Sequence, residues 1–139
     1  MEFPFAMSNS VSWLDDKHTV IIATLQGDVN YAEVKQQFDE IADLLDTVSH
    51  HVYVCHELTK IRRTSQVNLE HLTQTARHRV VTHPNRAFSY FIGAPRRAQI
   101  VVDLSTKIFP AAVKRFAFVH TLDEALQDIQ SRSQHLVNE

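Results

Sequence analysis

Residues 51–58 read HVYVCHEL. The run is short, rich in β-branched residues and nearly continuous in apolar character, the pattern of an interior strand in a parallel sheet. Because side chains alternate along a strand, Tyr53, Cys55 and Glu57 belong to one face, and Val52, Val54 and His56 to the other. A strand of this kind implies an α/β fold, with helices between parallel strands.

The segments on either side supply those helices. Upstream, Asn30 followed three residues later by Glu33 is a capping box that starts a helix. Tyr31, Val34, Phe38, Ile41, Leu45 and Val48 then recur at spacings of three and four, with Lys35, Gln36, Asp39 and Asp43 turned away from that stripe. Before this helix, β-like runs at 11–14 and 19–25 flank the polar Asp15, Asp16, Lys17 and His18, which predicts an antiparallel hairpin. Gly27 and Asp28 break the chain between hairpin and helix. Downstream of the opening strand, 59–66 reads as a polar loop. Leu69, Leu72, Ala76 and Val80 make a second helical stripe stopped by Pro84. A strand at 87–92 ends at Gly93, and Pro95 suits the first turn of a third helix carrying Ala98, Val101, Val102 and Ile108 and closed by Pro110. Residues 115–119 form the last strand, and Thr121 with Glu124 is a second capping box ahead of Leu122, Ala125, Leu126 and Ile129.

The expected order is therefore β-β-α-β-α-β-α-β-α: a mostly parallel five-stranded sheet with an antiparallel N-terminal strand and four helices. Short connections leave no room for a domain boundary, so 10–139 is read as one domain and 1–9 as a loose extension, with Met7 as a second candidate start.

Composition narrows the function classes. Of the 139 residues, 44% are hydrophobic and 22% charged, values of a chain that folds around a core rather than a disordered one. A net charge of -2 excludes a general nucleic-acid binder, whose footprint is strongly basic. The single cysteine, Cys55, allows no intrachain disulfide and fits a reducing compartment. No stretch approaches the ~18 apolar residues of a membrane span, and 1–10 lacks the basic and apolar regions of a secretory leader, so the expected location is the cytoplasm.

Three segments together resemble the STAS domains, the family of bacterial anti-sigma-factor antagonists and transporter regulatory tails. LQGDVNYAEV (25–34) resembles the family's strand, Gly-acidic turn and first helix; HVYVCHELTKI (51–61) resembles its central strand; FVHTLDEAL (118–126) resembles its last strand and final helix. The chain is similar as well to the SpoIIAA-like proteins grouped with lipid-binding Sec14-type domains. The resemblance implies a non-enzymatic bacterial signalling or regulatory domain that binds a protein partner, with no cofactor; the alternative it implies is a carrier of a lipid or small hydrophobic ligand. In phosphorylated antagonists an Asp-Ser pair opens the second helix. This chain has Thr64, Ser65 and Gln66 there, with Ser65 where the Asp would stand.

Two constellations are candidate sites. Lys60, Arg62 and Arg63 follow one parallel strand and Arg96 and Arg97 the next, so both groups are expected at the carboxyl edge of the sheet, each leading to a helix N-terminus that favours anions. Ser65 lies beside Arg62 and Arg63, either as a phosphate acceptor or as a helix cap. The second constellation is aromatic. Sequential crossovers would place the helices largely on one side of the sheet, and Tyr53, Cys55, Phe88, Tyr90, Phe116 and Phe118 would then line an apolar pocket or a homodimer surface, or simply fill the core.

Other chemistry is poorly supported. Among nine histidines, His71 and His78 are about 10 Å apart along a helix axis, and no metal-binding spacing appears. Cys55, His56 and Glu57 are nucleophile, base and carboxylate types, but consecutive strand residues alternate faces and cannot form a relay.

Overall fold

The computed structural model describes residues 9–64, 69–108 and 115–137. β1 (Ser10–Trp13) and β2 (Val20–Thr24) form the antiparallel hairpin. Asp15 fixes its turn, accepting the backbone N–H groups of Thr19 (2.9 Å) and Val20 (3.0 Å) and the Thr19 hydroxyl. Asn9, just before β1, is tied down as well: its Nδ2 donates to Glu33 at 2.7 Å and its Oδ1 accepts from the Gln26 N–H at 2.9 Å.

β3 (Gly27–Val29) leads into α1 (Tyr31–Asp46), where the Asn30 Oδ1 accepts the Glu33 N–H (3.0 Å) and the Glu33 Oε1 accepts the Asn30 N–H (3.1 Å). Of the apolar stripe, Ile41 and Leu45 are fully buried, whereas Phe38 is half-buried. β4 (Val52–Glu57) is followed by β5 (Ile61–Thr64), α2 (Leu69–Ala76), β6 (Arg86–Ile92), α3 (Arg96–Ile108), β7 (Phe116–Val119) and α4 (Leu122–Val137). The box at Thr121 closes as read, with the Glu124 N–H on the Thr121 Oγ1 at 3.1 Å and the Thr121 N–H on the Glu124 Oε1 at 3.1 Å.

The main sheet has the order β1-β2-β4-β6-β7, parallel throughout except at β1. Two expectations need correction. The break at Gly27 and the loop at 59–66 contain β3 and β5, which pair in parallel as a small separate sheet. Both strands are too short and too charged to show a periodicity. The second helix stops at Ala76 rather than running to Val80. The Val80 N–H donates to the Nδ1 of His78 at 3.0 Å, so a side chain takes the donor that another helical turn would need.

The turns after α2 are clamped to α1 by charge. His78 bonds Asp39 at 2.6 Å, His83 bonds Asp46 at 2.8 Å, and Arg79 bridges Asp43 (2.7 Å) and Asp46 (2.9 Å). These Asp residues stand outside the apolar stripe, and their partners come from a distant segment.

The two sheet faces are covered unequally. Val20, Tyr53, Cys55, Phe88, Tyr90 and Ile92 pack against Ala125 and Ile129 of α4. Ile21, Ala23, Val52 and Val54 pack against Ile41, Ala42 and Leu45 of α1. On the first face α4 leaves a more polar recess beside Tyr90, Ala117, Val119 and Asp128, and the partly uncovered face expected from the crossovers is a largely apolar gap beneath three helices on the other.

Candidate functional site

That gap is a cavity of about 470 Å³. Its floor is the sheet face bearing Val54, His56, Ser89, Phe91, Phe116 and Phe118; α1 contributes Val34 and Phe38, α2 contributes Thr75 and Ala76, and α3 contributes Ala98, Ile100 and Val102. The volume lies within the usual range for small-molecule sites, which are concave and mostly apolar with a few placed polar groups. Ile100 is 49% exposed and Arg97 is exposed, so the cavity meets solvent along α3.

Aromatic rings organise the floor. His56 stacks on Phe91 at 4.8 Å between centroids, Phe91 meets Phe116 edge-on at 5.7 Å and tilts against Phe118 at 5.6 Å. Tyr31 stacks on His71 at 4.1 Å and donates its hydroxyl to Gln74 at 2.8 Å, joining α1 to α2 across one wall.

Three buried polar residues interrupt the apolar lining: His56, Arg86 and Ser89, exposed by 6%, 5% and 5%. Arg86 and Ser89 are three apart on β6 and would face opposite ways on a regular strand. A register shift opposite Val52 and Tyr53 inserts one residue, after which the Arg86 Nη1 reaches the Ser89 Oγ at 2.9 Å. Burial, helped by the charge of Arg86, pushes His56 down to about 4, so its ring is neutral near pH 7. Burial and the neighbouring Arg115 lower Arg86 to about 10, still charged at that pH.

The aromatic set read from the sequence divides between the faces. Phe116 and Phe118 line the cavity. Tyr53, Cys55, Phe88 and Tyr90 lie under α4 in the closed core. There the Tyr90 hydroxyl bonds Asp128, and Arg132 binds Asp128 at 2.6 Å with its guanidinium 3.6 Å over the Phe88 ring. Burial, with Glu57 nearby, pushes the Cys55 thiol up to about 12, far from the reactive thiolate range. Cys55 and His56 face opposite sides of the sheet and form no relay.

The basic rim is altered too. β4 and β6 are adjacent and parallel, so the residues after them do emerge at one edge. Lys60, Arg62 and Arg63, however, run into β5 rather than directly into a helix. Arg62 is engaged by Asp28 at 3.0 Å, a bond that holds the Asp28 carboxyl below its usual range. Arg97 borders the cavity while Arg96 is exposed at the start of α3. Ser65 lies outside the described residues.

Among solved structures the chain is similar to the anti-sigma factor antagonist SpoIIAA in its unphosphorylated form, with a TM-score of 0.59 and 11% identity over 89% of this chain and 97% of that one. The chain has the SpoIIAA-like fold. A second structure with this fold, an uncharacterised DUF3478-family protein from Shewanella loihica, matches with a TM-score of 0.54 and 11% identity over 86% of this chain and 90% of that one. No family model matches the sequence. No curated protein matches it either.

Within this SpoIIAA-like fold, the sequence pointed to Phe116 and Phe118 but not to the polar trio beside them. His56 drew attention only as part of an adjacent triad, and an arginine at the start of a strand reads as a surface residue. Among the described residues, no group of three or more His, Cys, Asp or Glu is arranged to hold a metal ion, and no helix is long and apolar enough to cross a membrane.

Proposed function

We propose that the protein is a non-enzymatic cytoplasmic binding domain that holds a small hydrophobic ligand in the cavity beneath α1, α2 and α3. The observation that carries this reading is the cavity itself, about 470 Å³ and walled largely by apolar side chains. A concave, largely apolar site of this size with a few placed polar groups is the usual form of a small-molecule pocket. The reading is tested with the neutral dye Nile red, added to the full chain after lipid extraction. Binding should raise its fluorescence, dodecan-1-ol should displace it, and Ala98→Phe should weaken it by narrowing the cavity. Absence of dye binding, or binding indifferent to Ala98→Phe in a folded variant, would sink the proposal.

A second reading is that the domain regulates a protein partner through the carboxyl rim, and the likeness to an anti-sigma factor antagonist favours it. Lys60, Arg63 and Arg96 are exposed there and would attract an acidic surface. The two readings are compatible, since Arg97 belongs to both the rim and the cavity wall.

A further inference from the structure

We propose that the ligand is an aliphatic monocarboxylate, its chain in the apolar cavity and its acid group bound by Arg86, Ser89 and His56. The inference rests on the cavity reading above and specifies the class of molecule it takes.

Each of the three residues leaves something unfinished. Arg86 donates its Nε–H to the Val80 carbonyl (3.1 Å), its Nη1 to the Ser89 Oγ (2.9 Å) and the Arg115 carbonyl (2.8 Å), and its Nη2 to the Val81 carbonyl (2.7 Å). These bonds occupy four of the five guanidinium donors, and one on Nη2 has no acceptor among the described residues. More importantly, carbonyls and a hydroxyl supply no negative charge. None of the ion pairs seen involves Arg86, so among the described residues this nearly buried cation has no carboxylate partner. A buried charge ordinarily has a counter-ion.

Ser89 accepts from Arg86, and its own O–H proton meets no acceptor among the described residues. His56 is 94% buried by its 6% exposure, borders the cavity, and has no hydrogen-bond partner for either ring nitrogen among the described residues; its ring stacks on Phe91 and meets Phe38 at a tilt. An imidazole that borders the cavity with no hydrogen-bond partner among the described residues is a second observation, independent of the arginine, that favours a polar group on the ligand.

A carboxylate answers all three. It carries one negative charge against one guanidinium and has two oxygens able to accept from the Arg86 Nη2, the Ser89 hydroxyl and a His56 N–H. A phosphate monoester would bring a second charge, and the other cation bordering the cavity, Arg97, is exposed on α3 rather than buried with the trio. Most of the remaining lining offers hydrocarbon surface, which fits an aliphatic chain better than a polar metabolite.

The test compares two ligands with the same chain. Lipid-extracted full-length protein is loaded with Nile red at pH 8 and titrated with dodecanoate or dodecan-1-ol. Dodecanoate is expected to displace the dye at a concentration about tenfold lower, the scale of one charge-assisted hydrogen bond. Ser89→Ala should weaken dodecanoate several-fold and leave dodecan-1-ol unchanged, and Arg86→Met should erase the difference between them. Arg86 also holds three loop carbonyls, so if Arg86→Met does not fold, the native protein and Ser89→Ala decide the matter. Equal or tighter binding of the alcohol to the native protein overturns acid recognition while leaving the cavity reading intact. If Nile red itself fails to bind, both fall together.

Discussion

The same strands build two very different surfaces. On the face under α4, Tyr53, Cys55, Tyr90 and Ile92 close against Ala125 and Ile129. On the opposite face the neighbouring residues of those strands, His56, Ser89 and Phe91, look into a cavity. The helices explain the contrast. α4 runs for 16 residues, whereas α2 is only eight residues long, stops at Ala76 and hands over to turns pinned by His78 and His83. A long helix can match a sheet face side chain by side chain; a short one followed by turns leaves volume that no side chain reaches. One face is thus packed along α4, while the other divides between a core closed by α1 and a cavity that gathers the buried polar chemistry.

The sharpest way to break this comparison is to truncate one large aromatic on each face. Tyr90 has no exposed surface, and Tyr90→Ala should cost about 4 kcal/mol in urea unfolding, as core truncations that leave a cavity do. Phe118 is half-buried and already borders empty space, so Phe118→Ala should cost about 1 kcal/mol. Equal costs would mean that the cavity collapses in solution and the two faces are packed alike.

Much of this division was legible in the residues, but not its most informative part. The alternation in 51–58 separates Cys55 from His56, and both capping boxes close as their Asn30–Glu33 and Thr121–Glu124 spacings require. The strand order follows from sequential parallel pairing. The small sheet of β3 and β5 was hidden because Gly27, Asp28, Arg62 and Arg63 carry turn and surface chemistry. The polar trio was hidden for a different reason: Arg86 and Ser89 share a face only because a register shift adds a residue between them. A shift of that kind leaves no mark on hydrophobic periodicity. Likewise the clamp between α1 and the turns at 77–83 depends on how far α2 runs, which a histidine side chain sets.

His56 gives a second, smaller contrast, visible in pH dependence. Its folded pKa is about 4 and its unfolded value about 6.5, so the unfolded chain binds a proton that the folded one refuses. The stability associated with neutral burial is therefore complete above pH 6.5 and is lost as pH falls toward 4. Ligand-free protein should lose about 2 kcal/mol between pH 7 and pH 5 from this group. His56→Leu should flatten that part of the profile in urea titrations at the two pH values. A slope unchanged by His56→Leu would mean that the imidazole is solvated in the ligand-free protein and the cavity floor is wet. Cys55 and Tyr90 on the α4 face do not contribute to this window, since burial raises both.

The smallest effect expected comes from the charged clamp that holds the cavity side together from outside. Hydrogen bonds from His78 and His83 keep the Asp39 and Asp46 carboxyls below their usual range, with Lys35 and Arg79 adding to the effect. Both carboxylates are solvent-accessible, so each contact is screened and weak compared with the packing under α4. A carboxyl whose folded pKa is depressed stabilises above its unfolded pKa, about 4, and that contribution disappears as pH falls below it. The double variant Asp39→Asn, Asp46→Asn should therefore unfold at a slightly lower urea concentration than the native protein at pH 7 in low salt. The gap should narrow as salt is added, and narrow again as pH falls below the unfolded carboxyl value, closing once the folded carboxyls are protonated too. Its pH window lies below that of His56, so the two contributions separate in one titration: the first loss, from pH 6.5 downward, belongs to the cavity floor, and the second, below about pH 4, to the clamp. If the double variant instead unfolds with the large loss expected of Tyr90→Ala, these surface pairs carry the load that packing carries on the other face. α2 and its turns would then be anchored by charge rather than merely steadied by it.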